Sequence, residues 1–87
     1  MPTVYIPPLM RSLTGGVEQL DVPGETVRQV VAELERRYPG IRERLCDGDE
    51  LRSGIAVAVD GNITSRGLLQ KLEPTSEVHF LPAIGGG

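Results

Sequence analysis

Apolar and polar positions along this chain alternate with period two at its ends and with period 3.6 near its middle. Thr3-Val4-Tyr5-Ile6 puts Val4 and Ile6 on one face, which predicts a strand. Pro7-Pro8 removes two ladder donors and should end or bend it. After Thr14-Gly15-Gly16, a turn, Val17 to Val22 reads as a second strand. Leu20 and Val22 point inward there, with Gln19 and Asp21 outward. The short connection makes the two strands an antiparallel hairpin. Pro23-Gly24 breaks the second strand, and Thr26-x-x-Gln29 fits a capping box. Val27, Val30, Val31, Leu34 and Tyr38 then share one helical face. Arg36 and Arg37 suit the negative end of the helix dipole, and Pro39-Gly40 stops it.

Beyond the helix, Ile41 to Leu45 is expected to form one more helical turn with Ile41 and Leu45 inward. Cys46 to Gly54 is polar and glycine-containing, so it reads as an exposed loop. Ile55-Ala56-Val57-Ala58-Val59 is apolar throughout, which predicts a central strand buried on both sides or under the helix. Asp60-Gly61 marks a tight turn into a short return strand, Asn62-Ile63-Thr64. Leu68, Leu69 and Leu72 suggest a short helical turn. Glu77 to Leu81 is the last strand, ended by Pro82. One helix on one face of a mixed sheet of four to five strands is an α+β arrangement. Residues 1–82 are expected to form the domain and residues 83–87 a flexible glycine tail.

Composition narrows what such a domain can do. Eighty-seven residues make one small domain, in which a deep enclosed active site is not expected. A formal charge of −3 argues against nucleic acid, which needs a basic footprint. Cys46 is the only cysteine, so no intrachain disulfide is possible and a cysteine metal cluster is excluded. No secretory apolar region and no run near membrane-span length occur, so no membrane association is expected and a cytoplasmic location is the default. Of nine basic residues, Lys71 is the only lysine.

The most unusual chemistry lies in Pro82-Ala83-Ile84-Gly85-Gly86-Gly87. Without Cβ atoms, the glycines can pass through a narrow tunnel in a partner and expose the Gly87 carboxylate to attack. Six residues reach at most roughly 20 Å. A carboxylate is a poor electrophile until it is activated, most simply by adenylation. This chain has no phosphate loop: Val17 follows Gly15-Gly16. A separate ATP-using enzyme is therefore implied, with this protein as its substrate. The plain alternative is a floppy or processed terminus.

The pattern and its ending resemble the ThiS/MoaD family of ubiquitin-like, β-grasp sulfur carriers. Val4 to Pro7 with Leu9 to Gly16 resembles the family's first strand and its R-x-L-T-G-type turn. Glu25-Thr26-Val27 and the helix through Tyr38-Pro39 resemble its helix. Glu77 to Ile84 before the glycines resembles its E-V-x-[FI]-[FL]-P-x-[VI]-x-G-G ending. Within the family, Ile6-Pro7, Thr14-Gly15-Gly16 and Tyr38 to Leu45 look closest to the CysO-type carrier of cysteine biosynthesis. The Cys46–Gly54 loop is shorter than that type would carry. Gly85 stands where the family usually has another residue.

The resemblance implies a β-grasp fold and a cycle. An E1-like enzyme adenylates Gly87 with ATP, and a sulfur donor displaces AMP to leave a thiocarboxylate. The carrier binds no cofactor of its own and is not itself an enzyme. In a CysO-type pathway the sulfur acceptor is an aminoacrylate on a PLP-dependent cysteine synthase, and a metallopeptidase releases the cysteine. In the alternative, the chain is the small subunit of molybdopterin synthase, with its tail in a larger subunit. A protein modifier joined through Gly87 to lysines of its targets is a third reading. An inert-tailed interaction module is a fourth.

Gly85 and Gly86 then thread the tail. Leu81, Pro82 and Ile84 form an apolar docking patch beside it, Leu81 facing outward by alternation. Against this stands an ordinary exposed leucine. His79 reads better as a surface histidine than as an acid–base residue. Cys46 reads as structural, with Asp47, Asp49 and Glu50 raising its pKa. The run Asp47 to Glu50 lacks EF-hand spacing and reads as a solvated loop rather than a metal site.

Overall fold

A computed structural model describes residues 1–82. It contains a five-stranded sheet, one long helix and a separate small hairpin. In chain order the elements are β1 (Thr3–Tyr5), β2 (Gln19–Asp21), α1 (Val27–Arg37), α2 (Ile41–Leu45), β3 (Cys46–Asp47), β4 (Glu50–Leu51), β5 (Ile55–Val59), β6 (Asn62–Ile63) and β7 (Glu77–Pro82). Single 3-10 turns occupy Pro8–Met10 and Gly67–Leu69. The strand order in the main sheet is β2-β1-β7-β5-β6. β1 and β7 run parallel, and the other pairs in this sheet are antiparallel. The last strand is therefore its middle strand.

That topology follows from where the apolar face must go. β1 and β2 pair as the expected hairpin, with Val4 opposite Leu20. To return in parallel beside β1, the chain must cross one face of the sheet, and α1 makes that crossing. Val27, Val30, Val31 and Leu34 are buried on α1. They pack in one core with Val4, Ile6, Val57, Val78 and Phe80. Thr26 caps α1: its hydroxyl accepts the Gln29 N–H at 3.2 Å. The Gln29 side chain reaches back to the Glu25 N–H at 2.6 Å, one residue earlier than a standard capping box. Gly24 makes this entry possible, because a Cβ there would lie 2.9 Å from Val30 Cγ2.

Several expectations are refined. The second strand spans Gln19–Asp21 only, although bonds from Ile6 N–H to Glu18 O (2.8 Å) and Val22 N–H to Pro2 O (2.9 Å) continue its ladder. Val22 is fully buried and Leu20 half-buried. Tyr38 is the C-cap of α1, its N–H donating to Leu34 O at 2.7 Å, and it packs half-buried against the core as its place on the face predicts. Ile55 to Val59 forms the strand beside the central one, not the central one itself. Leu68 and Leu72 are buried, but Leu69 faces solvent.

The loop expected over Cys46–Gly54 is exposed at residues 47–50 and 52–54, but it needs correction at Cys46 and Leu51 and in its hairpin pairing. Cys46 is 5 % exposed and belongs to the core. It pairs with Leu51, and Asp47 with Glu50, in a two-stranded hairpin turned at Gly48, whose φ is +65°. The cause is α2: with Ile41 and Leu45 fully buried, the next residue enters the core before the chain can turn outward. The Arg52 N–H then closes the hairpin onto Leu45 O at 2.9 Å.

Candidate docking face and carrier end

Strand β7 alternates from Glu77 to Leu81. Val78 and Phe80 are buried beneath α1, so Glu77, His79 and Leu81 stand on the opposite face of the sheet. The register places Tyr5 beside His79 on one side and Ala58 on the other. Ala56 lies beside Leu81, and Ile63 beside Ala58. One row across the sheet is thus Gln19, Tyr5, His79, Ala58 and Ile63. Tyr5 and His79 stack with ring centroids 4.1 Å apart and planes 6° from parallel. His79 Nε2 lies 4.0 Å from the Glu77 carboxylate at the rim.

Leu81 is 36 % exposed on this face, and Pro82 is exposed as well. The patch is apolar at the Leu81 end and mixed at the Glu77 end. Leu81 and Pro82 are therefore adjacent to the point where the chain leaves the sheet. Ile84, Gly85, Gly86 and Gly87 lie outside the described residues.

Other candidates fall into place. His79 is half-buried by its stack, not freely solvated. Burial pushes the Cys46 thiol up, while the nearby Arg42, Arg28 and Arg52 pull it down. The direction matches the sequence expectation but the cause is desolvation, not the neighbouring acids. Asp49 faces Arg28 at 3.9 Å, and no metal-ligand cluster occurs among the described residues. No helix among them is long and apolar enough to cross a membrane.

The Tyr5–His79 stack was not anticipated. Each ring could be placed on the outer face by alternation with Val4 and Val78. Their apposition depends on the parallel pairing of β1 with β7, for which two separated strands give no local signal.

The architecture is that of a β-grasp, ubiquitin-like domain, with the last described strand at the centre of its sheet. The ThiS family model matches residues 4–87, and the chain belongs to that family. It is 34% identical over 90 residues to the sulfur carrier protein CysO of Mycobacterium tuberculosis, covering 98% of this chain and 97% of that one. A chain in the crystal structure of the Amycolatopsis orientalis BexX/CysO complex superposes with a TM-score of 0.90 at 32% identity, over 100% of both chains. The small archaeal modifier protein 1 of Methanosarcina acetivorans superposes with a TM-score of 0.80 at 27% identity, over 99% of this chain and 95% of that one.

Proposed function

We propose that this protein is a ubiquitin-like sulfur carrier. The observation that carries the reading is its end-to-end similarity to CysO, including the glycine-rich end that the family model spans. In this reading residues 83–87 are the carrier arm and the Gly87 carboxylate is the cargo-bearing group. An E1-like enzyme uses ATP to form the Gly87 acyl adenylate and pyrophosphate. A sulfide equivalent from a donor attacks the acyl carbon, the C–O bond to AMP breaks, and a thiocarboxylate remains. The exchange of oxygen for sulfur makes the terminus a better nucleophile.

This chain's own residues bind and present. Leu81 and Pro82, with Ile84, grip the activating enzyme, while Gly85 and Gly86 pass through its narrow entry. The sulfur acceptor is an aminoacrylate held by a PLP-dependent cysteine synthase, so the pathway makes cysteine. A metallopeptidase then frees that cysteine from the carrier, and the cycle is cytoplasmic. No nucleic acid takes part. The likeness to a small archaeal modifier favours one second reading, conjugation of Gly87 to lysines of other proteins.

Intact mass of the full chain, before and after incubation with ATP, an E1-like enzyme and a sulfide source, tests both. Replacement of one oxygen by sulfur, dependent on ATP and lost on deleting Gly87, supports the carrier. Attachment to protein lysines in its place supports the modifier. An unchanged mass with an enzyme that activates a related carrier would sink both readings.

A further inference from the structure

Leu9 is 84 % exposed, the highest value for a large apolar side chain among the described residues. A lone exposed leucine on a loose loop needs no explanation, but this one is held in place. Pro7 and Pro8 fix the backbone before it, and Pro7 has φ −59° and ψ 145°. Met10, the next residue, is buried in the core. The Met10 N–H donates to Pro7 O at 2.9 Å, and the Arg11 N–H to Pro8 O at 3.3 Å. The Arg11 Nε–H reaches back to Ile6 O at 3.3 Å and ties the turn to the end of β1. The hydroxyl of buried Thr14 lies 3.1 Å from Arg11 O and 2.9 Å from Val17 O, closing the far side of the loop. Leu9 is thus presented on a braced turn, with exposed Pro8 beside it.

The parallel pairing decides where that turn sits. Tyr5 lies beside His79, and both strands run the same way from that pair. One leads to Leu9 in four residues, at most roughly 14 Å. The other leads to Leu81 and Pro82 in two and three. Leu9, Leu81 and Pro82 therefore stand at one end of the sheet, and all three are exposed.

The length of chain beyond Pro82 says what covers this end. Residues 83–87 reach at most roughly 18 Å when fully extended. An enzyme acting on the Gly87 carboxylate must bring its reactive atoms within that distance of Pro82. The walls of its site then close over the end of the sheet where Pro82 lies. A braced apolar side chain there offers contact area with little ordering cost on binding.

We propose that Leu9 is a second anchor for the enzyme that activates Gly87, filling an apolar pocket of that enzyme while Leu81 and Pro82 make the first contact. The inference rests on the carrier reading and extends its docking site from β7 to the turn after β1. Two anchors on separate strands fix the orientation of the domain, which one patch on β7 does not.

The test is ATP–pyrophosphate exchange with an E1-like enzyme that activates a related carrier, followed against the concentration of this chain. Wild type, Leu9→Ser, Leu9→Met and Leu69→Ser are compared, with circular dichroism and thermal midpoints to check the fold. Leu69 is the control: it is 69 % exposed, on the turn whose Gln70 O accepts the Val27 N–H at the start of α1. Leu9→Ser should raise KM about tenfold with kcat and midpoint little changed, because the lost contact serves ground and transition states alike. Leu9→Met keeps the apolar volume and should stay near wild type. Leu69→Ser should change neither constant.

An unchanged KM for folded Leu9→Ser, with wild type exchanging normally, would overturn this proposal and leave the carrier reading standing. An equal rise for Leu69→Ser would overturn it too, by showing a general effect of lost apolar surface. Sedimentation that finds a dimer of the free protein, dissociated by Leu9→Ser, would assign Leu9 to a contact between copies instead. A wild-type chain that supports no exchange would sink the carrier reading and this inference with it.

Discussion

The Asp60 carboxylate accepts the backbone N–H of Glu77 at 2.9 Å, and the Asp60 N–H donates to Glu77 O at 2.9 Å. A two-residue turn is thereby tied to the first residue of the central strand. Asp60 has φ +52° and Gly61 φ +87°, the doubly left-handed pair of a tight hairpin between Val59 and Asn62. Asp60→Ala removes the side-chain acceptor and adds an ordinary residue in the left-handed region. It should destabilise the fold by about 1 kcal/mol. Asp60→Asn keeps an acceptor and tolerates that region, so urea denaturation should rank it between wild type and the alanine variant.

Leu81 stands on the outer face beside Ala56, one residue before the strand ends. Leu81→Glu puts a charge in the proposed docking patch while leaving the core, on the other face, untouched. Affinity for the activating enzyme should fall at least about tenfold, about 1.4 kcal/mol, with little change in thermal midpoint. Unaltered binding by calorimetry would remove Leu81 from the interface.

Gly87→Ala tests the narrow-entry argument directly. A Cβ at the terminal residue should slow ATP–pyrophosphate exchange strongly, while the denaturation midpoint of the domain stays where it is. An unchanged exchange rate would mean that the partner's entry does not require glycine there.

Thr26 and Gln29 show how a local signal and its structure can agree in substance and differ in detail. The hydroxyl of Thr26 satisfies the Gln29 N–H at the start of α1, so Thr26→Ala should cost about 1 kcal/mol, read from chemical denaturation. Gln29→Ala should cost less, because the Glu25 N–H it serves is exposed and can bond to water.

What could be read from the residues divides along the same line. α1 was legible because cap, apolar face, basic last turn and Pro39-Gly40 stop all reinforce one another. The β1–β2 hairpin, the Asp60-Gly61 turn and the outward placement of Leu81 follow from short-range alternation and turn chemistry. The β3–β4 hairpin was hidden because Asp47-Gly48-Asp49-Glu50 is polar, and only the burial of Leu45 reveals that Cys46 turns inward. The central place of β7 is a long-range fact: Val78 pairs with Val4 across most of the chain. No pattern within Glu77 to Pro82 signals it, and the apolar run Ile55 to Val59 was expected to be central in its place. The exposure of Leu81 and Pro82 was readable residue by residue, while the Tyr5–His79 stack depends on that same parallel pairing.

Glu35 links the two helices through charge. Its carboxylate accepts the Gly40 N–H at 3.1 Å and the Arg42 N–H at 2.9 Å, at the start of α2. These backbone bonds, Arg42 first, hold its pKa below the ordinary glutamate value. A depressed folded pKa contributes stability that is complete above the unfolded value, about 4.3. That contribution is lost as pH falls through the folded value. Glu35→Gln keeps an oxygen acceptor but not the charge, so it should lower the thermal midpoint at neutral pH. The gap between the two proteins should close as pH falls through the acid range below about 4. The paired measurement isolates Glu35 from Glu33, whose pKa Arg36 and Arg37 also depress. A gap that persists unchanged to pH values where both proteins are protonated would assign the effect to side-chain shape instead of charge.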